Sequence, residues 1–144
     1  MSELRLRRPK RLWVAAVMNI AIGLLGLFFV AFVSLSSRVP DEARLGAGSA
    51  VMALVTASFL VVSSILALLG KRRWDRLMLS AALIYYGGVL AQNAYLLIQA
   101  QELIVPTQKI VANVVRSGIE IAINLWVVLS AKTRVFFRGA AAAP

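Results

Sequence analysis

The chain of 144 residues contains no cysteine and no histidine, and only 15% of its residues are charged. Without thiols or imidazoles it can form no disulfide, and it offers neither a thiol nucleophile, a histidine base nor the usual ligands of a zinc site. It also lacks a glycine-rich phosphate loop and any spacing typical of metal ligands. We therefore expect a protein that is not an enzyme and that binds no cofactor and no metal.

Apolar residues are abundant: they make up 60% of the chain, and the mean hydropathy is +0.82. A soluble domain contains about 45–50% apolar residues. Three long stretches carry no charge, and a fourth carries only one arginine and one glutamate; they are residues 12–37, 45–70, 77–101 and 110–131. Because about 20 apolar residues suffice for a helix to cross the ~30 Å hydrocarbon core, we predict an all-α integral membrane protein. Its single domain, residues 1–144, would hold four transmembrane helices arranged as two antiparallel hairpins.

Lysine and arginine are distributed unevenly around these spans. Twelve of the 16 lie before the first span, between the second and third, or after the fourth, and three lie in the opposite loops. The positive-inside rule then predicts cytoplasmic termini, with basic tails at residues 1–11 and 132–144, in a multi-pass protein of the cell (inner) membrane. Residues 134–138 mix phenylalanine with arginine, which is typical of an interfacial anchor. Topology and anionic lipid headgroups explain the net charge of +10, so we expect no nucleic acid as a partner.

Polar side chains form one stripe along the fourth predicted span. Lys109, Asn113, Arg116, Glu120 and Asn124 follow one another at intervals of 4, 3, 4 and 4 residues, which places them on one helical face. Arg116 and Glu120 are in register for an ion pair. Ionisable residues inside a membrane are costly and are often functional. Two interpretations remain open: the pair is structural, or Glu120 binds a proton or cation, or Arg116 an anion.

A second stripe lies on the third span, where Tyr85, Gly88, Gln92, Tyr95 and Gln99 share a helical face. On both helices the polar side chains are concentrated in the half away from the basic segments. This pattern indicates a vestibule or docking groove rather than a continuous pore. The candidate intramembrane polar site comprises Asn113, Arg116, Glu120, Asn124, Gln92 and Tyr85.

The first two spans carry small residues at intervals of three or four, which is typical of close helix packing in lipid. They are Ala16, Asn19, Gly23 and Gly26 in the first span and Ser49, Ala53 and Ala57 in the second. We expect Asn19 to form a packing hydrogen bond away from the two polar stripes.

Four helices enclose little room for a route, and the polar stripes stop short of the basic side. We therefore favour a non-catalytic subunit or scaffold of a membrane complex, which would pack through the third and fourth helices against its own copies or a partner membrane protein. The alternative is a small oligomeric ion or solute transporter or channel that uses Arg116 and Glu120. Membrane lipids are expected partners in either case.

Overall fold

The computed structural model describes residues 9–36, 46–70, 73–98 and 106–139. These residues form five helices: α1 (Lys10–Leu35), α2 (Ala47–Leu68), α3 (Trp74–Ile98), α4 (Thr107–Leu129) and α5 (Ala131–Gly139). The first four are long and apolar enough to cross a membrane. The prediction of an all-helical protein with four such helices is therefore confirmed.

The four long helices begin and end within three residues of the predicted spans. Three of them, α1, α3 and α4, begin two or three residues before the predicted span, because charged residues end a hydrophobic run without ending a helix. Lys10 and Arg11 form the first turn of α1, and Asp75 lies in the first turn of α3. Pro106 directly precedes α4, where its missing N–H leaves no helical hydrogen bond unmade.

Close approach between α1 and α2 depends on a glycine. A methyl group added at Gly23 would lie 2.6 Å from Val61 Cγ2 and 3.3 Å from the carbonyl oxygen of Ala57. Nearer the start of α1, Leu12 packs in the same cluster as Ala67 near the end of α2, so the two helices run antiparallel. Packing through small residues is therefore confirmed at Gly23 and Ala57, whereas Ser49 and Ala53 line a cavity and do not make such a close contact.

The start of α1, the end of α2, the start of α3 and the end of α4 lie together at one end of the bundle. Leu12, Ala67, Met78 and Val127 from these four positions are buried together in an apolar cluster. Exposed basic side chains surround this cluster: Lys10, Arg11, Arg73, Arg76, Lys132, Arg134 and Arg138. We call it the basic end, and the opposite end, where α2 and α4 begin, the far end.

The segment after α4 was predicted to be a basic tail with an interfacial anchor, but it forms a helix that packs on the bundle. Ser130 adopts an extended backbone and accepts a hydrogen bond at its hydroxyl from the Thr133 N–H at 3.4 Å, so it caps a new helix, α5. Phe136 and Phe137 of α5 are buried in the apolar cluster at the basic end. Residues 131–139 therefore form a helix that packs on the bundle, whereas residues 1–8 and 140–144 of the predicted tails lie outside the described residues.

The turn after α2 requires glycine for two reasons. Gly70 has φ +76°, which residues with a Cβ rarely adopt. A methyl group at this position would also lie 2.9 Å from Cζ of Phe136. The turn and the buried face of α5 therefore fit against each other.

Candidate functional site

Three buried side chains from three helices form a hydrogen-bonded cluster in the middle of the bundle. Asn19 on α1 donates from Nδ2 to Oδ1 of Asn124 on α4 at 2.7 Å, and Asn124 donates back from Nδ2 to Asn19 Oδ1 at 3.1 Å. The hydroxyl of Tyr86 on α3 donates to the same Asn19 oxygen at 2.9 Å. All three side chains are almost completely buried. We call them the asparagine–tyrosine cluster.

The asparagine–tyrosine cluster leaves little hydrogen-bonding capacity for a ligand. Asn19 Oδ1 already accepts two hydrogen bonds, which uses both lone pairs of an amide oxygen. Asn124 Nδ2 donates a second hydrogen bond to the carbonyl oxygen of Glu120 at 2.9 Å, one helical turn away. The arrangement is suited to fixing the positions of α1, α3 and α4, because leaving any of these groups unpaired would be costly.

The predicted ion pair on α4 is present. Arg116 Nε lies 2.8 Å from Glu120 Oε1. The two partners differ in environment, since the side chain of Arg116 is 61% exposed and that of Glu120 only 9%. Glu120 therefore lies at the edge of the core near the asparagine–tyrosine cluster, and Arg116 covers it from the surface.

The α4 stripe becomes exposed toward the far end. Asn124 and Glu120 are buried, whereas Arg116, Asn113 and Lys109 are exposed. The change follows from the packing, because α4 packs along α3 and contacts α1 over a shorter stretch. The exposed part of the stripe, Lys109, Asn113 and Arg116, is called the polar row of α4.

Tyr85 and Gln92 belong to a separate feature of the surface. They line a cavity of about 760 Å³ between α1, α2 and α3, in the half of the bundle next to the far end. Within the described part of the chain, no residue of α4 contributes to its lining. The six candidate residues are therefore divided between the asparagine–tyrosine cluster, the ion pair with the polar row, and this cavity.

The neighbouring residues Tyr85 and Tyr86 lie between the cavity and the asparagine–tyrosine cluster. The rings of Tyr85 and Tyr86 pack edge to face with centroids 5.3 Å apart. The Tyr86 hydroxyl enters the asparagine–tyrosine cluster, whereas the Tyr85 hydroxyl lies against Gly26, where an added methyl group would be 2.5 Å from it.

Sequence reasoning missed Tyr86 and misplaced Asn19. The packing hydrogen bond predicted for Asn19 is confirmed, but its expected separation from the polar stripes is wrong, because its partner Asn124 belongs to the α4 stripe. Tyr86 gave one usable signal: a tyrosine in the middle of an apolar span needs a partner for its hydroxyl if it is buried.

Comparison with known protein families, curated proteins and solved structures gave no match. The class of the protein therefore rests on its own features. Its four long apolar helices indicate a multi-span membrane protein of helical-bundle type.

Proposed function

We propose that the protein is a non-catalytic subunit or scaffold in the cell (inner) membrane, and that it assembles through the polar row of α4 with its own copies or a partner membrane protein. Both termini and α5 would face the cytoplasm, where exposed basic side chains at the basic end meet anionic headgroups. The exposure of the polar row on the side of the bundle is the observation that carries this proposal.

The depth of Arg116 makes its exposure unfavourable in a lone chain. Nine residues separate it from the first residue of α4, about 14 Å at ~1.5 Å per residue. An arginine at this depth costs about 2.5–3.5 kcal/mol on insertion scales. Its Nε is held by Glu120, one turn nearer the basic end, so the side chain cannot extend fully toward the far interface. Contact with another protein would remove Arg116 and Asn113 from lipid.

The packing of the chain favours a subunit over a transporter acting alone. The asparagine–tyrosine cluster and the apolar cluster lie in the bundle between Glu120 and the basic end. A polar path from the far end would stop at these residues. The alternative function, a transport route, would therefore need several copies arranged with their polar rows around a shared axis.

Cross-linking tests the assembly surface, because the chain contains no cysteine of its own. Asn113→Cys places a thiol in the polar row, and Phe28→Cys places one on an exposed part of α1. Oxidation in native membranes should join two Asn113→Cys chains, or a benzophenone maleimide at this thiol should capture one defined membrane protein. Phe28→Cys should give neither product. Equal yields at the two positions would contradict assembly through α4.

Flux measurements separate the subunit from the oligomeric transporter. Proteoliposomes containing the purified protein should show no flux across a panel of ions and small solutes. Robust flux that Glu120→Gln abolishes, with the oligomer unchanged, would replace the subunit proposal with the transporter.

A further inference from the structure

The cavity between α1, α2 and α3 runs along the bundle for about half of a membrane span. Its wall on α2 extends from Gly48, beside the start of that helix, to Ala57, nine residues later. At ~1.5 Å per residue this distance is about 14 Å. The hydrocarbon core is ~30 Å thick, so the cavity has nearly the length of one leaflet's hydrocarbon layer.

The described wall of the cavity carries no charged side chain. No lysine, arginine, aspartate or glutamate lines the cavity within the described residues, and most of the wall is aliphatic, aromatic or glycine. The hydroxyl of Thr56 donates to the carbonyl oxygen of Met52 at 2.9 Å, so its hydrogen is directed to its own helix. Ser49, Tyr85 and Gln92 add polar atoms to the wall, but a mostly apolar lining with a few polar groups is typical of sites that take apolar ligands.

The cavity opens on the side of the bundle. Phe29, Met52 and Ile84 line it and are each more than half exposed, so its wall reaches the surface on all three helices. Ile84 lies ten residues from the first residue of α3, near the middle of that helix. In a membrane this opening faces lipid chains, which are present there at far higher concentration than any other apolar molecule.

We propose that the cavity binds one acyl chain of a phospholipid from the leaflet at the far end. The end of the chain would lie near Tyr85 and Ala57, and the headgroup would lie beyond Gln92. Its volume of about 760 Å³ is within the range of about 300–1,000 Å³ found for ligand sites. The proposal depends on membrane insertion and is independent of the polar row of α4, so the cross-linking experiment at Asn113 can fail without affecting it.

Two neighbouring glycines of α3 provide a matched pair of variants. A methyl group added at Gly88 or at Gly87 would meet no atom within 4 Å, so neither position is closed to a residue with a Cβ. Gly88 lines the cavity and Gly87 does not. Gly88→Leu therefore occupies the proposed site, whereas Gly87→Leu adds the same side chain elsewhere.

Native mass spectrometry measures the bound lipid. Each form is reconstituted in vesicles of a single phosphatidylcholine and extracted in mild detergent. The wild type and Gly87→Leu should retain a single bound phospholipid, and Gly88→Leu should retain it about tenfold less. Equal retention by all three forms, or no retention by the wild type, would overturn the proposal.

Photolabelling locates the chain. A phosphatidylcholine with a diazirine at the end of one acyl chain should label Ala57 and Tyr85 more strongly than Phe28, an exposed residue of α1 that does not line the cavity. Equal labelling of these three residues would mean that the probe reacts only from the surrounding bilayer and that no acyl chain is bound in the cavity. If Gly88→Leu instead changes the oligomeric mass by light scattering and leaves labelling unchanged, a second copy occupies the cavity and the lipid proposal is wrong.

Discussion

Asn19 and Asn124 donate to each other, with N···O distances of 2.7 Å and 3.1 Å, although 105 residues separate them in the chain. Such a reciprocal amide pair satisfies a donor and the acceptor oxygen on each side chain at once. It joins α1 to α4, two helices that otherwise contact each other over a short stretch. The pair therefore supplies a large part of the contact that holds α1 against α4 and closes the bundle.

Replacement of both asparagines should cost less stability than the two single replacements added together. Asn19→Leu leaves the Asn124 amide and the Tyr86 hydroxyl without their partner in an apolar environment, and we expect a loss of about 2 kcal/mol. The double variant Asn19→Leu with Asn124→Leu should lose less than the sum of the single variants. Unfolding in a mild detergent, followed by circular dichroism, measures each loss.

Tyr86→Phe serves as the matched control for this cluster. It removes one donor, but Asn19 Oδ1 still accepts a hydrogen bond from Asn124. The expected loss is below about 1 kcal/mol. A loss for Tyr86→Phe as large as that for Asn19→Leu would show that the tyrosine hydroxyl, and not the amide pair, stabilises the closure.

The features found from the sequence are local along the chain. Each long helix followed from an apolar run, because unpaired backbone groups are excluded from hydrocarbon. The Arg116 and Glu120 ion pair followed from a spacing of four residues. Both inferences need only the geometry of one helix.

The features that were missed depend on contacts between distant segments. Nothing in the sequence pairs Asn19 with Asn124 rather than with another polar residue of a neighbouring span. The cavity likewise arises from the spacing of α1, α2 and α3, and small residues indicate close packing and open space equally well. For α5 a local signal existed in Ser130, a residue type that favours helix starts, but the apolar segment that follows is short.

The ion pair on α4 should give a measurable coupling. Arg116→Leu leaves a nearly buried carboxylate without its cation, whereas Glu120→Leu leaves an exposed guanidinium, so the first variant should lose more stability. In a double-mutant cycle we expect a coupling energy of about 1 kcal/mol. Additive losses in detergent unfolding, without coupling, would mean that the pair does not stabilise the fold and would favour a functional role for Glu120.

Thiol labelling tests the orientation inferred from the basic residues. Cysteines introduced singly at Ser36 or Gln101 should react with a membrane-impermeant maleimide added outside intact spheroplasts, and one at Ser2 should react only after lysis. The absence of native cysteine makes each label specific. Reaction of Ser2→Cys from outside would reverse the proposed orientation and move α5 to the other side of the membrane.

Gly70 and Phe136 provide the last test, which concerns the docking of α5. Gly70→Ala introduces backbone strain at φ +76°, worth about 1–2 kcal/mol, and places a methyl group 2.9 Å from the phenylalanine ring. In a Phe136→Leu background the contact can relax while the strain remains, so the same substitution should cost less there, by about 1 kcal/mol. Gly118→Ala, on α4 with open space around it, serves as a control and should be neutral or slightly stabilising.

Detergent unfolding of the four combinations at Gly70 and Phe136 measures the difference. An equal cost of Gly70→Ala in both backgrounds would mean that α5 does not pack against the turn after α2.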